Sequence, residues 1–234
     1  MKDIHNHLIV GIDDGSKSYE DSIRILKYME DMGYTDICLT PHYVYESKYD
    51  VNNKGKTKLL KELKRECEKN NININLYLGN EIFITDNIEE LIKKGDIAPL
   101  NNSKYLLLEL SVFQEYPNTK LIIYNLIQEG YKVILAHPER YTYFDKSLAY
   151  VKELKEMGVL MQCNYLSLFG RYGKSAKDLC ERILKNGLAD FLATDIHHDE
   201  DLHPKDLRKK IKKFVKTDEE VENLLTNNFD KILN

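Results

Sequence analysis

The sequence predicts an α/β fold in which parallel strands and helices alternate around a (β/α) barrel, and three observations carry that expectation. Short apolar runs recur seven times with helical patterns between them, each run ends in a polar or ionisable residue, and 234 residues suit one barrel better than two small cores. Pro and Gly are sparse, no low-complexity linker interrupts the chain and no long internal repeat stands out. A single domain over residues 1–234 is therefore expected, with a helical tail from about residue 204.

The first run, Asp3-Ile4-His5-Asn6-His7, puts His5 and His7 on one face of a strand, because residues i and i+2 point the same way. Alone, such a pair is more often a surface strand that happens to carry two histidines; the remaining runs decide. Leu8 to Gly15 holds two glycines and two acids, an irregular loop able to bring Asp13 or Asp14 back over the strand end. Ser18 with Asp21 forms an N-cap pattern, and Ile23, Ile25, Leu26 and Met29 keep helical spacing up to Gly33. The second strand, Ile37 to Thr40, ends in Pro41-His42. A tyrosine-rich loop from Tyr43 to Gly55 leads to an amphipathic helix from Lys56 to Asn70, and the third strand, Ile74 to Leu78, runs into Gly79-Asn80-Glu81.

After a short helix from about Asn87 to Lys94, the fourth strand, Tyr105 to Leu108, meets Glu109, a carboxylate that is costly beside a buried run unless paired or metal-bound. A helix from Asn118 to Glu129 precedes the strand Lys132 to Ala136, which stops at His137-Pro138-Glu139-Arg140-Tyr141. A helix from about Lys146 to Met157, a sixth strand from Val159 to Cys163 ending at Asn164, and a helix from about Ser175 to Asn186 follow. The seventh strand, Phe191 to Thr194, ends in Asp195-Ile196-His197.

Right-handed crossovers bring the C-terminal ends of all such strands to one face, where barrel active sites sit. His5, His7, His42, Glu81, Glu109, His137, Asp195 and His197 then meet there, using five of the seven histidines. An apolar barrel does not bury such a set unpaired, so divalent metals are expected, and mixed imidazole and carboxylate donors suit Mn, Fe or Zn over Ca or Mg.

Other function classes fit poorly. The net charge of −4, with both signs interspersed, argues against a nucleic-acid partner, and the locally basic stretch Lys205 to Lys216 reads as a solvated helix face. Cys38, Cys67, Cys163 and Cys180 are widely spaced and suggest no disulfide framework; none is followed six positions on by Arg, as a phosphocysteine route would need. Met1-Lys2-Asp3 opens no signal peptide, and no apolar run approaches the roughly 20 residues of a membrane span. A cytoplasmic protein without direct membrane insertion is expected.

D-I-H-N-H at Asp3 to His7, G-I-D-D-G at Gly11 to Gly15, T-P-H at Thr40 to His42, G-N-E at Gly79 to Glu81, A-H-P-E-R-Y at Ala136 to Tyr141 and T-D-I-H at Thr194 to His197 resemble the PHP (polymerase and histidinol phosphatase) superfamily. Their order and wording are similar to the manganese-dependent bacterial protein-tyrosine phosphatases of capsular and exopolysaccharide operons, the CpsB/YwqE type. The resemblance implies a distorted seven-stranded barrel of the PHP type with three Mn2+ per chain, Fe or Zn being alternatives. By motif, His5 and His7 would bind a first metal with Glu81 and Asp195, Glu81 would bridge to a second held by Glu109 and His137, and Asp14, His42 and His197 would hold the third.

The implied reaction is hydrolysis of phosphotyrosine on an autophosphorylated tyrosine kinase by metal-activated hydroxide, with the planar fork of Arg140 clamping the phosphoryl oxygens and His42 or His137 available as proton donors. A small monoester such as histidinol phosphate is the alternative substrate, and a catalytically silent kinase-binding module the alternative role. Relatives tend to carry a second arginine after the D-x-H motif, where the run from His198 to His203 is acidic; Arg171 and Arg208 are candidate substitutes that spacing does not assign. Tyr43, Tyr45, Phe113, Tyr116, Tyr165 and Phe169 are candidates to line a pocket for the phosphotyrosine ring. The tail after His203 is expected to pack on the barrel or to mediate assembly into a homo-oligomer.

Overall fold

The structure, a computed structural model, describes residues 1–144, 147–202 and 206–233. Apolar runs become strands β1 (Lys2–Asp3), β2 (Asp36–Leu39), β3 (His42–Tyr43), β4 (Asn75–Leu78), β5 (Glu81–Phe83), β6 (Tyr105–Glu109), β7 (Lys132–Ala136), β8 (Leu160–Asn164) and β9 (Phe191–Ala193). Every ladder is parallel, in the orders β1-β2-β4 and β3-β5-β6-β7-β8-β9.

The seven expected runs give nine segments because the second and third are each interrupted. Pro41 has no N–H for a ladder, and Gly79 has no room for a side chain, since a Cβ there would lie 2.4 Å from Leu100 Cδ2. Single hydrogen bonds carry the pairing across the breaks: Gly79 N–H to Leu39 O at 2.9 Å, Glu81 N–H to Pro41 O at 3.2 Å and Thr40 N–H to Asn6 O at 3.0 Å. Beyond β1 the chain still pairs, for Asn6 bridges Ile196, Asp195 N–H reaches His5 O at 2.8 Å and His7 N–H reaches Ile196 O at 2.9 Å. Those bonds join the first run to the last, as a distorted (β/α) barrel requires.

Helices α1 (Tyr19–Asp31), α2 (Asn53–Lys69), α3 (Ile88–Lys94), α4 (Thr119–Gln128), α5 (Ala149–Glu156) and α6 (Gly173–Lys185) alternate with the runs. Ser18 caps α1 as expected, its hydroxyl accepting the Asp21 N–H at 3.2 Å. Helix α2 starts earlier than its apolar spacing suggests, because Asn52 caps it by accepting the Gly55 N–H at 3.1 Å. The expected start of α5 at Lys146 lies outside the described residues, as do His203 and the first positions of the tail. All four cysteines are buried and free. Among the described residues no helix is long and apolar enough to cross a membrane.

After residue 206, α7 (Leu207–Ile211), α8 (Asp218–Glu222), a π-helical turn (Asn223–Asn227) and α9 (Asn228–Leu233) pack on the barrel. Phe229 and Ile232 join Ile4, Leu107, Ile134 and Phe191 in one buried cluster. Lys2 at the start of β1 pairs with Asp230, and Asn228 Nδ2 donates to Asp190 O at 2.7 Å just before β9. The tail therefore covers the N-terminal ends of the strands and leaves the C-terminal ends open.

A cation is buried in this core with, among the described residues, only an aromatic ring to offset the loss of water. Lys56 of α2 is fully buried, its Nζ lies 5.1 Å from the centre of the Tyr43 ring, and that nitrogen has no hydrogen-bond partner among the described residues. Burial pushes its ammonium down to about 7 from the ordinary 10.5. Between these values the unfolded chain binds more protons than the folded one, so stability rises with pH through that window. Lys56→Met is accordingly expected to be more stable than the parent at pH 7, with the advantage shrinking towards pH 10; denaturant titrations at both pH values check this, and a pH-independent difference would contradict it.

Candidate metal centre

Strand ends place the ionisable side chains, and two of those ends take an unusual backbone. His137 (φ 31°) and Asp195 (φ 51°) follow β7 and β9 in the left-handed region, a conformation that costs non-glycine residues about 1–3 kcal/mol and persists only where the surroundings fix it. Arg140 N–H to His137 O at 2.9 Å and Asp195 N–H to His5 O at 2.8 Å provide that fixing. Gly15 makes a third constraint, because a Cβ there would lie 2.0 Å from His7 O. With only hydrogen at that position the loop folds down on His7 and carries Asp13 and Asp14 over the strand ends.

Glu81 occupies the middle of the site. Its Oε1 lies 3.1 Å from His5 Nε2 and 3.0 Å from His137 Nε2, and its Oε2 lies 3.2 Å from His7 Nε2 and 3.0 Å from His42 Nδ1. Asp195 Oδ1 stands 3.3 Å from His5 Nε2 and 3.4 Å from His7 Nε2. Glu109 is 3.6 Å from both His42 Nδ1 and His137 Nε2, and Asp14 Oδ1 is 3.5 Å from both His42 Nε2 and His197 Nε2. Three overlapping sets have donor atoms within 4.8 Å of one another: His5, His7, Glu81 and Asp195; His42, Glu81 and Glu109; His7, Asp14, His42 and His197.

The neighbours of this cluster fix which atoms carry protons. Asn164 Nδ2 donates to Asp195 Oδ2 at 2.6 Å, its Oδ1 accepts from Gln162 Nε2 at 2.8 Å, and Gln162 Oε1 faces His5 Nδ1 at 2.7 Å. Because a carboxylate only accepts, the relay runs one way and His5 must donate from Nδ1. Asp13 Oδ2 fixes His7 in the same manner at 2.8 Å from its Nδ1, and it also accepts the His42 N–H at 3.1 Å. In the neutral rings both Nε2 atoms are then lone pairs, 3.3 Å apart and aimed at carboxylate oxygens. Acceptors that face only acceptors repel one another unless protons or a cation lie between them. His42 Nδ1, Glu81 Oε2 and His137 Nδ1 are likewise buried without an aligned hydrogen bond. That donor set fits divalent cations, with His5, His7 and His197 each oriented through Nδ1, by Gln162, Asp13 and the Asp195 carbonyl, as metal ligands usually are.

The electrostatics agree. Burial opposes charge throughout, but without a cation protons take its place: positive charge on His5 and His42 holds Glu81 well below the usual carboxylate range, His5 and His7 do the same for Asp195, and the carboxylates in turn raise His5 and His7. Burial and then the charge of Glu81 push Glu109 up to about 8. Burial, followed by the charge of Arg140, pushes His137 down to about 4 and leaves it neutral at pH 7.

All nine residues expected as ligands therefore meet at one face, and Arg140 borders them with Nη1 donating to Asp195 Oδ2 at 2.8 Å. The choice left open between Asp13 and Asp14 resolves into two positions, Asp14 between His42 and His197 and Asp13 behind His7. Gln162 and Asn164 were not anticipated, although polar residues alternating on an otherwise apolar strand were a signal for them.

The expectation for the aromatics is corrected in part. Tyr43 and Tyr165 are buried in the core and Tyr116 donates to Asp86, whereas Phe113 is 82% exposed. The rings that border the site are Tyr49, stacked 5.8 Å from His42, and Tyr172, whose centre lies 4.6 Å from the Arg140 guanidinium carbon. Among the described residues neither candidate second arginine contacts a ligand. Arg171 pairs with Asp201 at 3.3 Å, and Arg208 pairs with Glu222 of the tail.

The family described as capsular polysaccharide synthesis, CpsB/CapC, matches residues 1–234. The chain is 39% identical over 197 residues to the putative tyrosine-protein phosphatase CapC of Staphylococcus aureus, covering 84% of this chain and 77% of that one. It is 31% identical over 202 residues to the tyrosine-protein phosphatase YwqE of Bacillus subtilis, covering 85% and 78%. A crystal structure from work on YwqE of Bacillus subtilis and CpsB of Streptococcus pneumoniae, described as unique metal-dependent tyrosine phosphatases, superposes with a TM-score of 0.91 at 26% identity over 100% of this chain and 94% of that one.

Since outer partners orient the imidazoles, Asp13→Asn and Gln162→Leu are each expected to weaken divalent-metal binding by about 10- to 100-fold. Calorimetric titration of the metal-stripped protein measures this, and unchanged affinity in both variants would contradict it.

Proposed function

Because the chain belongs to the CpsB/CapC family of capsular polysaccharide synthesis, we propose that it is a metal-dependent protein-tyrosine phosphatase, acting on a phosphorylated tyrosine kinase that controls polysaccharide synthesis. The observation that carries this reading is the convergence of imidazole lone pairs and carboxylates on one barrel face, with the Arg140 guanidinium at their edge. Three Mn2+ ions per chain are proposed, with Fe or Zn as alternatives; the overlapping donor sets support more than one cation, the set around Glu81 and Glu109 being completed by His42, with His137 3.0 Å from Glu81 beside it. His5, His7, Glu81 and Asp195 would hold the first, Glu81, Glu109 and His137 the second, and Asp14, His42 and His197 the third. The protein is proposed to work in the cytoplasm as one domain over residues 1–234, whose tail packs on the barrel and leaves assembly into a homo-oligomer a separate question for solution measurement.

When bound, the cations supply Lewis acidity towards phosphoryl oxygens and lower the pKa of water to near neutrality. The chain's own groups do the rest. Among the described residues Arg140 commits one guanidinium donor, to Asp195, and the others would hold two non-bridging oxygens where transition-state charge is spread. Asp13 and Gln162 keep His5 and His7 in the tautomer that presents Nε2. His42 and the sealed His137 are both engaged by cations in this assignment, so the leaving oxygen departs without a proton from either. Phenolate scarcely needs one, its conjugate acid having a pKa of about 10.

The metal-loaded protein is expected to hydrolyse a phosphotyrosine peptide in preference to histidinol phosphate, to lose turnover with a chelator, and to lose about 100-fold or more of kcat/KM in Arg140→Ala. Steady-state assays decide the matter: preference for histidinol phosphate would reassign the substrate, turnover that survives metal removal would end the metal-based reading, and no turnover of either ester would leave a kinase-binding module.

A further inference from the structure

We propose that the cavity beside Arg140 is a preformed subsite for the aryl group of the phosphate ester, and so the feature that separates aryl from small alkyl phosphates; this rests on the phosphatase reading above. The cavity encloses about 310 Å³. Val112 comes from the loop after β6, Thr142 and Phe144 from the loop after β7, Tyr172 from the residue before α6, and Ser175 and Leu179 from α6 itself. All of these segments follow strand C-terminal ends, so the cavity opens on the same face as the metal ligands. Cavities bounded by Tyr105, Lys132 and Lys231 lie at the opposite end of the strands, out of reach of that chemistry.

Two features fix what this space can hold. Arg140 forms part of its wall and is the only guanidinium that also touches a ligand among the described residues, bonding Asp195 at 2.8 Å while Tyr172 stacks on its plane at 4.6 Å. A phosphoryl group held by Arg140 therefore has the cations on one side and the cavity on the other. The wall beyond Arg140 combines Val112, Phe144, Leu179 and the rings of Tyr141 and Tyr172 with the polar groups of Glu139, Thr142 and Ser175, and the cavity's volume exceeds the roughly 150 Å³ that holds a benzene ring. A small alkyl group would instead leave Val112, Phe144 and Leu179 uncovered and forfeit the apolar burial that a ring supplies.

The walls are also tied to one another. Thr142 donates to Val112 O from its N–H at 2.9 Å and from its Oγ1 at 3.0 Å, while Tyr141 beneath donates to Ala136 O at 2.8 Å and accepts the Leu110 N–H at 3.0 Å. The space exists before any ligand arrives.

The test uses non-hydrolysable probes on the metal-loaded full chain. Calorimetry is expected to show phenylphosphonate binding at least about tenfold more tightly than methylphosphonate. Ser175 is exposed on α6, so Ser175→Trp fills the cavity from the surface without disturbing the core. That variant is expected to abolish the preference while leaving methylphosphonate affinity within about twofold of the parent. Equal affinities in the parent, a preference that survives in Ser175→Trp, or equal weakening of both probes would each overturn the subsite. Turnover of a phosphotyrosine peptide tests the phosphatase reading separately: a protein that prefers phenylphosphonate but hydrolyses no ester keeps the subsite and loses the activity.

Discussion

The feature on which the rest of this structure depends is a repulsion. His5 and His7 each donate from Nδ1, to Gln162 and Asp13, and thereby aim two Nε2 lone pairs at each other and at Glu81 and Asp195. In an apolar interior such an arrangement is unstable by itself, because no atom in it gives and every atom takes. Protons or cations must supply the missing positive charge, and the relay from Asp195 through Asn164 and Gln162 to His5 keeps the neutral ring in the tautomer that suits a cation.

The scaffold holds this tension by local means. Breaks in the barrel fall at Thr40-Pro41 and Gly79-Asn80, where the chain leaves the regular ladder just before His42 and Glu81. Left-handed backbone at His137 and Asp195 turns two more side chains at strand ends. Gly15 allows a loop to lie against His7 at a distance no other residue tolerates. Stability is supplied at the other end, where Phe229 and Ile232 of the tail pack among the strand starts. The open end is thus free to carry groups that serve chemistry rather than folding.

Much of this was legible in the sequence because strand periodicity and ligand chemistry are both local. An H-x-H at a strand end states its own geometry, and Glu109 after Leu106-Leu107-Leu108 states its own cost. What the sequence did not show depends on contacts between distant segments. Gln162 acquires its role only when β8 lies opposite His5, and the pairing of Asp201 with Arg171 and of Glu222 with Arg208, which removes both arginines from the site, is equally invisible along the chain. Tyr43 and Tyr165 looked like rim aromatics because they follow strand ends, but their side chains turn into the core; Tyr172, beside Arg140, had no local pattern to mark it.

The measurement that bears most directly on the centre is anomalous diffraction from crystals of the protein grown with manganese. Three anomalous peaks are expected, one among His5, His7, Glu81 and Asp195, one between Glu81, Glu109 and His137, and one between Asp14, His42 and His197. Imidazoles and carboxylates meeting around water alone under those conditions would contradict the claim that cations hold this site together.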